Sequence, residues 1–155
     1  MRSPLEGKLL KFSAAAIRQY DWEAILPYLK DVQTILEFGA GISTKLFTDI
    51  GKTVTSLETK EKWIRVCKME CPDVEYHLWD NEGFPEAAVR EYDLVFVDGA
   101  LPRDKQMEFA EKLADKVIIH DVDHEEVGPF IDDYFSNWKE CYIEGRCACF
   151  VRDKQ

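Results

Sequence analysis

The sequence predicts a three-layer α/β sandwich around a seven-stranded, mostly parallel sheet. Five apolar strand segments alternate with helical segments, and this alternation is typical of parallel strands joined by right-handed helical crossovers. Two more strand segments, 138–143 and 147–151, are separated by only three residues. A link that short permits only an antiparallel hairpin. The chain has 155 residues, which fits one domain with a single hydrophobic core.

Hydrophobic periodicity predicts where each element lies. The first five strands are short apolar runs at 34–38, 53–57, 74–79, 92–97 and 117–119. Apolar residues at helical spacing predict helices over about 14–30, from Ser43 onward, and over 60–70, 103–114 and about 127–134. Pro27 should break or kink the first helix because proline lacks a backbone N–H. Residues 1–30 therefore read as an N-terminal helical segment and 31–155 as the core, within a single domain that spans 1–155.

The overall charge and hydropathy restrict the partners. The net charge is −10, which argues against a nucleic acid, since binding to phosphates depends largely on Lys and Arg. No apolar run approaches the roughly 20 residues that a membrane span needs. The N-terminus lacks the pattern of a signal peptide. We therefore expect a cytoplasmic protein with a small-molecule substrate and no membrane partner, and the sequence leaves the oligomeric state open.

Five cysteines are present, at positions 67, 71, 141, 147 and 149. An odd number at irregular spacing, in a chain with strong core signals, is a poor disulfide framework. Cys147 and Cys149 lie in one strand, where both thiols point to the same face. We expect reduced and partly buried thiols.

The connection between the first two strands carries the strongest functional signal. The strand at 34–38 leads into Gly39-Ala40-Gly41, Ser43 opens a helix, and the strand at 53–57 ends at Glu58. Glycine permits a close approach of a ligand to the backbone. A helix that begins there presents unpaired N–H groups and a positive partial charge. An acid at the end of the second strand can accept hydrogen bonds from the hydroxyls of a ribose. The unit thus predicts a pocket for a nucleoside that bears an anionic group.

Acidic residues also lie at or near the carboxyl ends of the other predicted parallel strands. In open α/β sheets, ligands bind at this edge, near the point where the strand order reverses. Five acids at one edge are difficult to explain by folding alone. They are Glu37, Glu58, Asp80, Asp98 and Asp121.

From about residue 31 to 152, the arrangement resembles the class I S-adenosylmethionine-dependent methyltransferases. These proteins have a Rossmann-like sheet of seven strands whose last strand is antiparallel, and their first strand ends in an acid followed by glycines. The matching motif is Glu37-Phe38-Gly39-Ala40-Gly41-Ile42-Ser43. Ser43 stands where the family often has a third glycine, although many members accept a small polar residue there.

The resemblance implies a role for each cofactor-binding residue. Ser43 and Thr44 would help to hold the carboxylate of the cofactor at the helix N-terminus. Glu58 would bind the ribose, Asp80 the adenine amino group, and Asp98 would lie beside the reacting methyl. The whole implied set is Glu37, Gly39, Ala40, Gly41, Ser43, Thr44, Glu58, Asp80 and Asp98.

Three residues after the fourth and fifth strands are the candidate catalytic groups: Asp98, His120 and Asp121. His120 could serve as a general base, since the ordinary pKa of histidine is near neutrality. Asp98 and Asp121 also match two metal-holding acids of the catechol-type O-methyltransferases. The neighbouring Asn ligand of that group is replaced by Val122, so we assign no metal, although a divalent ion is compatible with the two acids.

The main hypothesis is a transferase that moves a methyl group from S-adenosylmethionine to an oxygen of a small molecule and releases S-adenosylhomocysteine. A dehydrogenase-like protein that binds NAD is one alternative, because Glu58 lies about 20 residues after Gly39. Thr44, however, stands where the dinucleotide fingerprint has Gly or Ala. A catalytically inactive module that binds S-adenosylmethionine is the other alternative. The chain also lacks an Asn-Pro-Pro-Tyr-type motif and a Pro-Cys nucleophile, which are typical of enzymes that methylate nucleic-acid bases.

Overall fold

A computed structural model describes residues 17–100, 102–142 and 146–153. Its seven strands form one sheet in the order β3-β2-β1-β4-β5-β7-β6. Neighbours among β1 to β5 pair in parallel, whereas β7 is antiparallel to both β5 and β6. The predicted fold class and the predicted hairpin are confirmed. The strands are β1 (Thr34–Phe38), β2 (Thr53–Glu58), β3 (Glu75–Leu78), β4 (Leu94–Val97), β5 (Lys116–His120), β6 (Lys139–Tyr142) and β7 (Cys147–Val151).

The five α-helices agree with the predicted ones to within a few residues where the structure describes them. Part of the first predicted helix, 14–16, lies outside the described residues. The break expected at Pro27 is confirmed, because the α-helix gives way to a 3₁₀ turn over Leu26–Leu29. The helices are α1 (Gln19–Ile25), α2 (Ile42–Asp49), α3 (Glu61–Glu70), α4 (Asp104–Leu113) and α5 (Gly128–Phe135).

The central strand β4 is buried on both faces of the sheet. Its alternate residues belong to two separate hydrophobic clusters, because successive side chains of a strand point to opposite faces. Leu94 and Phe96 pack in the cluster that includes Trp22 of α1 and Phe47 of α2. Val95 and Val97 pack in the cluster on the other face, which includes residues of α4 and α5. Helices therefore cover the sheet on both sides, as a mostly parallel sheet requires.

The strand order weighs against the dehydrogenase alternative. Dinucleotide-binding sheets have the order 3-2-1-4-5-6. Here the order is the same as far as β5, but β7 then pairs antiparallel with β5 and separates it from β6. The C-terminal hairpin thus takes the place that the sixth parallel strand has in those proteins.

The five cysteines are free thiols, as the sequence predicts, and all but the half-buried Cys141 are buried. Burial raises the pKa of Cys149 to about 12, so this thiol stays protonated at neutral pH. In the described part of the chain, no helix combines the length and the apolar character that crossing a membrane requires.

Candidate functional site

The turn after β1 lies directly against the carboxyl end of β4. Gly39 has a φ of +94°, and a Cβ at this position would be 2.6 Å from the carbonyl oxygen of Asp98. The Gly39 N–H donates to the carbonyl of Leu57 at 2.8 Å, and the Asp98 N–H donates to that of Phe38 at 3.1 Å. Both the backbone angle and the close approach therefore require glycine.

Helix α2 begins at Ile42, one residue before the predicted start at Ser43. Gly41 is the N-cap, and its N–H donates to Oγ1 of Thr44 at 3.1 Å. Ser43 is the second helical residue, and its hydroxyl donates to Oε2 of Glu37 at 2.8 Å. The Thr44 hydroxyl donates to the other carboxyl oxygen of Glu37. Both hydroxyls therefore fasten the start of α2 to the end of β1.

Glu37 is fully buried behind the turn and does not line the cavity in front of it. Burial raises the pKa of Glu37 to about 7, although hydrogen bonds from Thr44 and Ser43 oppose this rise. The structure thus separates Glu37 and Thr44 from the predicted cofactor-binding residues that line the cavity, because the side chain of Glu37 points toward the start of α2.

A cavity of about 350 Å³ opens in front of the glycine turn, between the carboxyl ends of β1 and β4. Gly41 borders it, and a Cβ at this position would meet no atom within 4 Å. Seven of the predicted site residues line the cavity: Gly39, Ala40, Gly41, Ser43, Glu58, Asp98 and Asp121. The other lining residues are Ile42, Thr59, Lys60, Trp63, Gly99, Ala100 and Arg103.

Glu58 ends β2 at the wall of this cavity and holds the turn of β1 in place. Its carboxylate accepts the Ala40 N–H at 3.2 Å, the Lys60 N–H at 2.7 Å and the Thr59 hydroxyl at 3.3 Å. An ionised carboxylate has about four acceptor positions. Glu58 therefore retains capacity for one further donor, such as a hydroxyl group.

Asp80 lies in an adjoining cleft that shares Thr59 with the main cavity. Its Oδ1 accepts the N–H groups of Glu82 at 3.0 Å and Gly83 at 3.3 Å, which forms a tight turn after β3. The turn is the local structure that an aspartate of this kind favours. The structure thus brings Asp80 beside the cavity without making it part of the lining.

His120 is fully buried at the end of β5 and does not line the cavity. Its Nδ1 is 2.8 Å from Oδ1 of Asp98 and 3.3 Å from Oδ2 of Asp121. Burial alone would lower the pKa of His120, but the two carboxylates outweigh it and raise the pKa to about 9. An imidazolium cannot accept a proton, so this geometry does not suit the predicted general base.

Arg103 is a site residue that the sequence reasoning missed. Its side chain is 6% exposed and lies 3.3 Å from Oδ1 of Asp98 and 3.4 Å from Oδ2 of Asp121. The guanidinium also donates to the carbonyl oxygens of Gly99, at 2.9 Å, and His120. Arg103 therefore ties the end of β4 to the end of β5. An arginine just before a helix is ordinary, so the sequence carried no signal for this role.

Asp98, His120 and Asp121 each offer a metal-ligating atom, and these atoms lie within 4.8 Å of one another. Arg103 and the charged His120 already neutralise both carboxylates. A protonated imidazole has no lone pair for a metal. These donors therefore fit their own cations better than a metal ion, and we assign no metal.

No protein-family model matches the chain, and no curated protein sequence matches it. Solved structures do resemble it. A TehB-like SAM-dependent methyltransferase from Corynebacterium glutamicum is 15% identical with a TM-score of 0.66, over 90% of this chain and 91% of that chain. The N-methyltransferase NodS from Bradyrhizobium japonicum, in complex with S-adenosylhomocysteine, is 14% identical with a TM-score of 0.66, over 86% of each chain.

The 16S rRNA N2 G1207 methyltransferase RsmC from T. thermophilus, in complex with AdoMet and guanosine, is also similar. Its identity is 14% and its TM-score 0.71, over 92% of this chain but only 45% of RsmC. These structural similarities show which fold the chain has. The chain has the fold of the class I S-adenosylmethionine-dependent methyltransferases, as its sequence motif predicts.

Proposed function

We propose that this protein is an S-adenosylmethionine-dependent methyltransferase that acts on a small-molecule acceptor. The observation that carries the proposal is the cavity between the ends of β1 and β4, which joins a bare glycine turn to Glu58 and Asp98. Ligands of open α/β sheets bind at this switch point. The solved structures of the same fold include two with S-adenosylhomocysteine or AdoMet bound.

The residues of the cavity fit this cofactor. Gly41 leaves open space where a side chain would stand, and Glu58 retains an acceptor position for a ribose hydroxyl. Asp80, in the adjoining cleft, is the candidate for the adenine amino group. When bound, the cofactor supplies an electrophilic methyl group on a sulfonium cation. Asp98 and Asp121 would orient the acceptor, since both carboxylates border the cavity.

An oxygen acceptor is the finer part of the proposal. It rests on the carboxylates of Asp98 and Asp121, which border the cavity and can accept a hydrogen bond from a hydroxyl group of the acceptor. The net charge of −10 favours a small molecule over RNA. Similar folds serve other acceptors, because NodS is an N-methyltransferase and RsmC acts on 16S rRNA.

Incubation with radiolabelled S-adenosylmethionine and either a small-molecule extract or total RNA distinguishes these acceptors. Label in RNA alone would overturn the small-molecule proposal, and label in neither would favour an inactive binding module.

Cofactor binding is the first test of the proposal. Each of S-adenosylmethionine and S-adenosylhomocysteine, at 100 times its Kd, should stabilise the protein by roughly 2.7 kcal/mol in a thermal unfolding assay. NAD, assayed in parallel, should give no shift. Stabilisation by NAD alone would instead favour the dehydrogenase alternative.

Glu58→Ala should weaken the binding of S-adenosylhomocysteine by about fivefold or more, measured by titration calorimetry. The variant loses an acceptor for the ribose, and a hydrogen bond to a charged group contributes at least about 1 kcal/mol. Glu61→Ala is the matched control, since that side chain is 68% exposed on α3. An unchanged Kd in Glu58→Ala would remove this residue from the site.

A further inference from the structure

We propose that Asp21 of α1 is a positioning residue of the candidate active site. Its buried carboxylate makes a charge contact with the His120 ring, and through this ring α1 helps to position the carboxylate of Asp98 at the cavity. The inference rests on the proposed function for its catalytic consequence. The contacts themselves are independent of any activity, and they extend the site to a helix that lies about 100 residues before β5.

Asp21 is fully buried, although aspartate is among the residues least often buried without a partner. Its carboxylate accepts three hydrogen bonds from the Arg18 backbone and side chain, at 2.9 to 3.1 Å. Arg146, beyond β6, adds its N–H at 3.2 Å and its guanidinium at 3.3 Å. Burial raises the pKa of Asp21, but these donors outweigh it and hold the pKa well below its usual range. Asp21 is therefore a stable buried anion.

The His120 ring lies between the carboxylate of Asp21 on one side and those of Asp98 and Asp121 on the other. Its Nδ1 is 2.8 Å from Asp98, and its Nε2 is 3.6 Å from Oδ2 of Asp21. Nε2 is buried and makes no hydrogen bond within the described residues. Its one close carboxylate is that of Asp21, with the Cys147 thiol nearby. If the Asp21 carboxylate were absent, the buried Nε2–H would have no nearby anion, which would cost folding free energy. Asp21 thus compensates the side of the ring that faces away from the cavity.

The Nδ1 side of the ring determines which carboxylate oxygen of Asp98 remains free at the cavity. Asp98 Oδ1 is engaged by His120 and Arg103, whereas no hydrogen bond among the described residues engages Oδ2. The side chain is 17% exposed and borders the cavity. One oxygen is therefore anchored and the other is left for an acceptor. The charged and titratable groups that surround His120 are Asp21, Asp98, Asp121, Arg103, Arg146 and Cys147.

The test measures the titration of the His120 imidazole by NMR. Asp21→Asn keeps the shape of the side chain but removes its charge, so the midpoint of His120 should fall measurably below the wild-type value. Asp132→Asn, an exposed residue of α5, is the matched control and should leave the midpoint unchanged. A midpoint in Asp21→Asn equal to that of the control would overturn the proposal.

The variant Arg18→Gln distinguishes an electrostatic effect of Asp21 on His120 from a simple loosening of α1. It also provides a second test if Asp21→Asn does not fold. Arg18 is a cation beside Asp21, and its side chain is 42% exposed. Without this cation the negative charge of Asp21 is less neutralised, so the titration midpoint of His120 should rise. If the substitution only loosened α1, the midpoint would fall, and that result would overturn the proposal.

Two readouts address Asp98 itself. In Asp21→Asn the resonance of the Asp98 carboxyl carbon should shift, and an unchanged resonance would contradict the positioning role even if the protein proves inactive. With an acceptor found in the labelling assay, kcat should fall about tenfold or more, because misplacement of a reacting group is costly. KM for S-adenosylmethionine should stay within about twofold. Wild-type kcat in the variant would also overturn the proposal, whereas inactivity of the wild type would count against the proposed function alone.

Discussion

Gly39→Ala should lower the free energy of unfolding by about 2–6 kcal/mol. Alanine at a φ of +94° is strained, at a cost of about 1–3 kcal/mol. Its Cβ would also lie 2.6 Å from the Asp98 carbonyl oxygen, which belongs to the backbone and cannot rotate away. Overpacking of this kind adds a further cost of about 1–3 kcal/mol. Urea denaturation followed by circular dichroism measures the sum.

Gly51→Ala is the matched control for this prediction. Gly51 has a φ of +84°, but a Cβ there would meet no atom within 4 Å. The control thus carries the backbone strain without the clash, and its cost should be about 1–2 kcal/mol. Equal losses in the two variants would show that the contact between the turn and β4 is not tight. A tolerated Gly39→Ala would remove the main structural reason for the glycine.

The free energy of unfolding should fall as the pH rises from 6.5 to 9, by up to about 3 kcal/mol. The pKa of His120 is raised from 6.5 to about 9 in the folded protein. A raised histidine pKa stabilises the fold fully below pH 6.5, and this stabilisation is lost as the pH passes through 9. Denaturation curves at several pH values within this interval measure the effect.

His120→Gln should remove this pH dependence, whereas His124→Gln should keep it, because His124 is exposed in the loop after β5. The comparison is best made between pH 7 and 9. Below pH 7, the raised pKa of the buried Glu37, about 7, adds its own loss of stability as the pH rises, because this carboxyl ionises more readily in the unfolded chain. A slope that survives in His120→Gln would show that another group titrates here.

Local patterns were sufficient for the architecture. Each described strand lies within two residues of its predicted bounds, because short apolar runs between polar residues are typical of strands in a sheet that is covered on both faces. The three-residue link before β7 was enough to predict an antiparallel hairpin. Gly39 was also predictable, since a turn from a strand into a helix at a ligand site requires a residue without a side chain.

The sequence by itself thus determined the sheet, its hairpin and the cavity at the glycine turn, because these follow from local apolar runs, from turn residues and from the order of strands and helices along the chain. Only the tertiary structure decided which polar side chains face the cavity. Glu37 and His120 follow the same strand pattern as Glu58 and Asp98, yet they turn inward and are fully buried. Arg103 and Asp21 depend on partners that lie up to 125 positions away in the chain. Such pairings arise when distant elements pack together, and no local spacing encodes them.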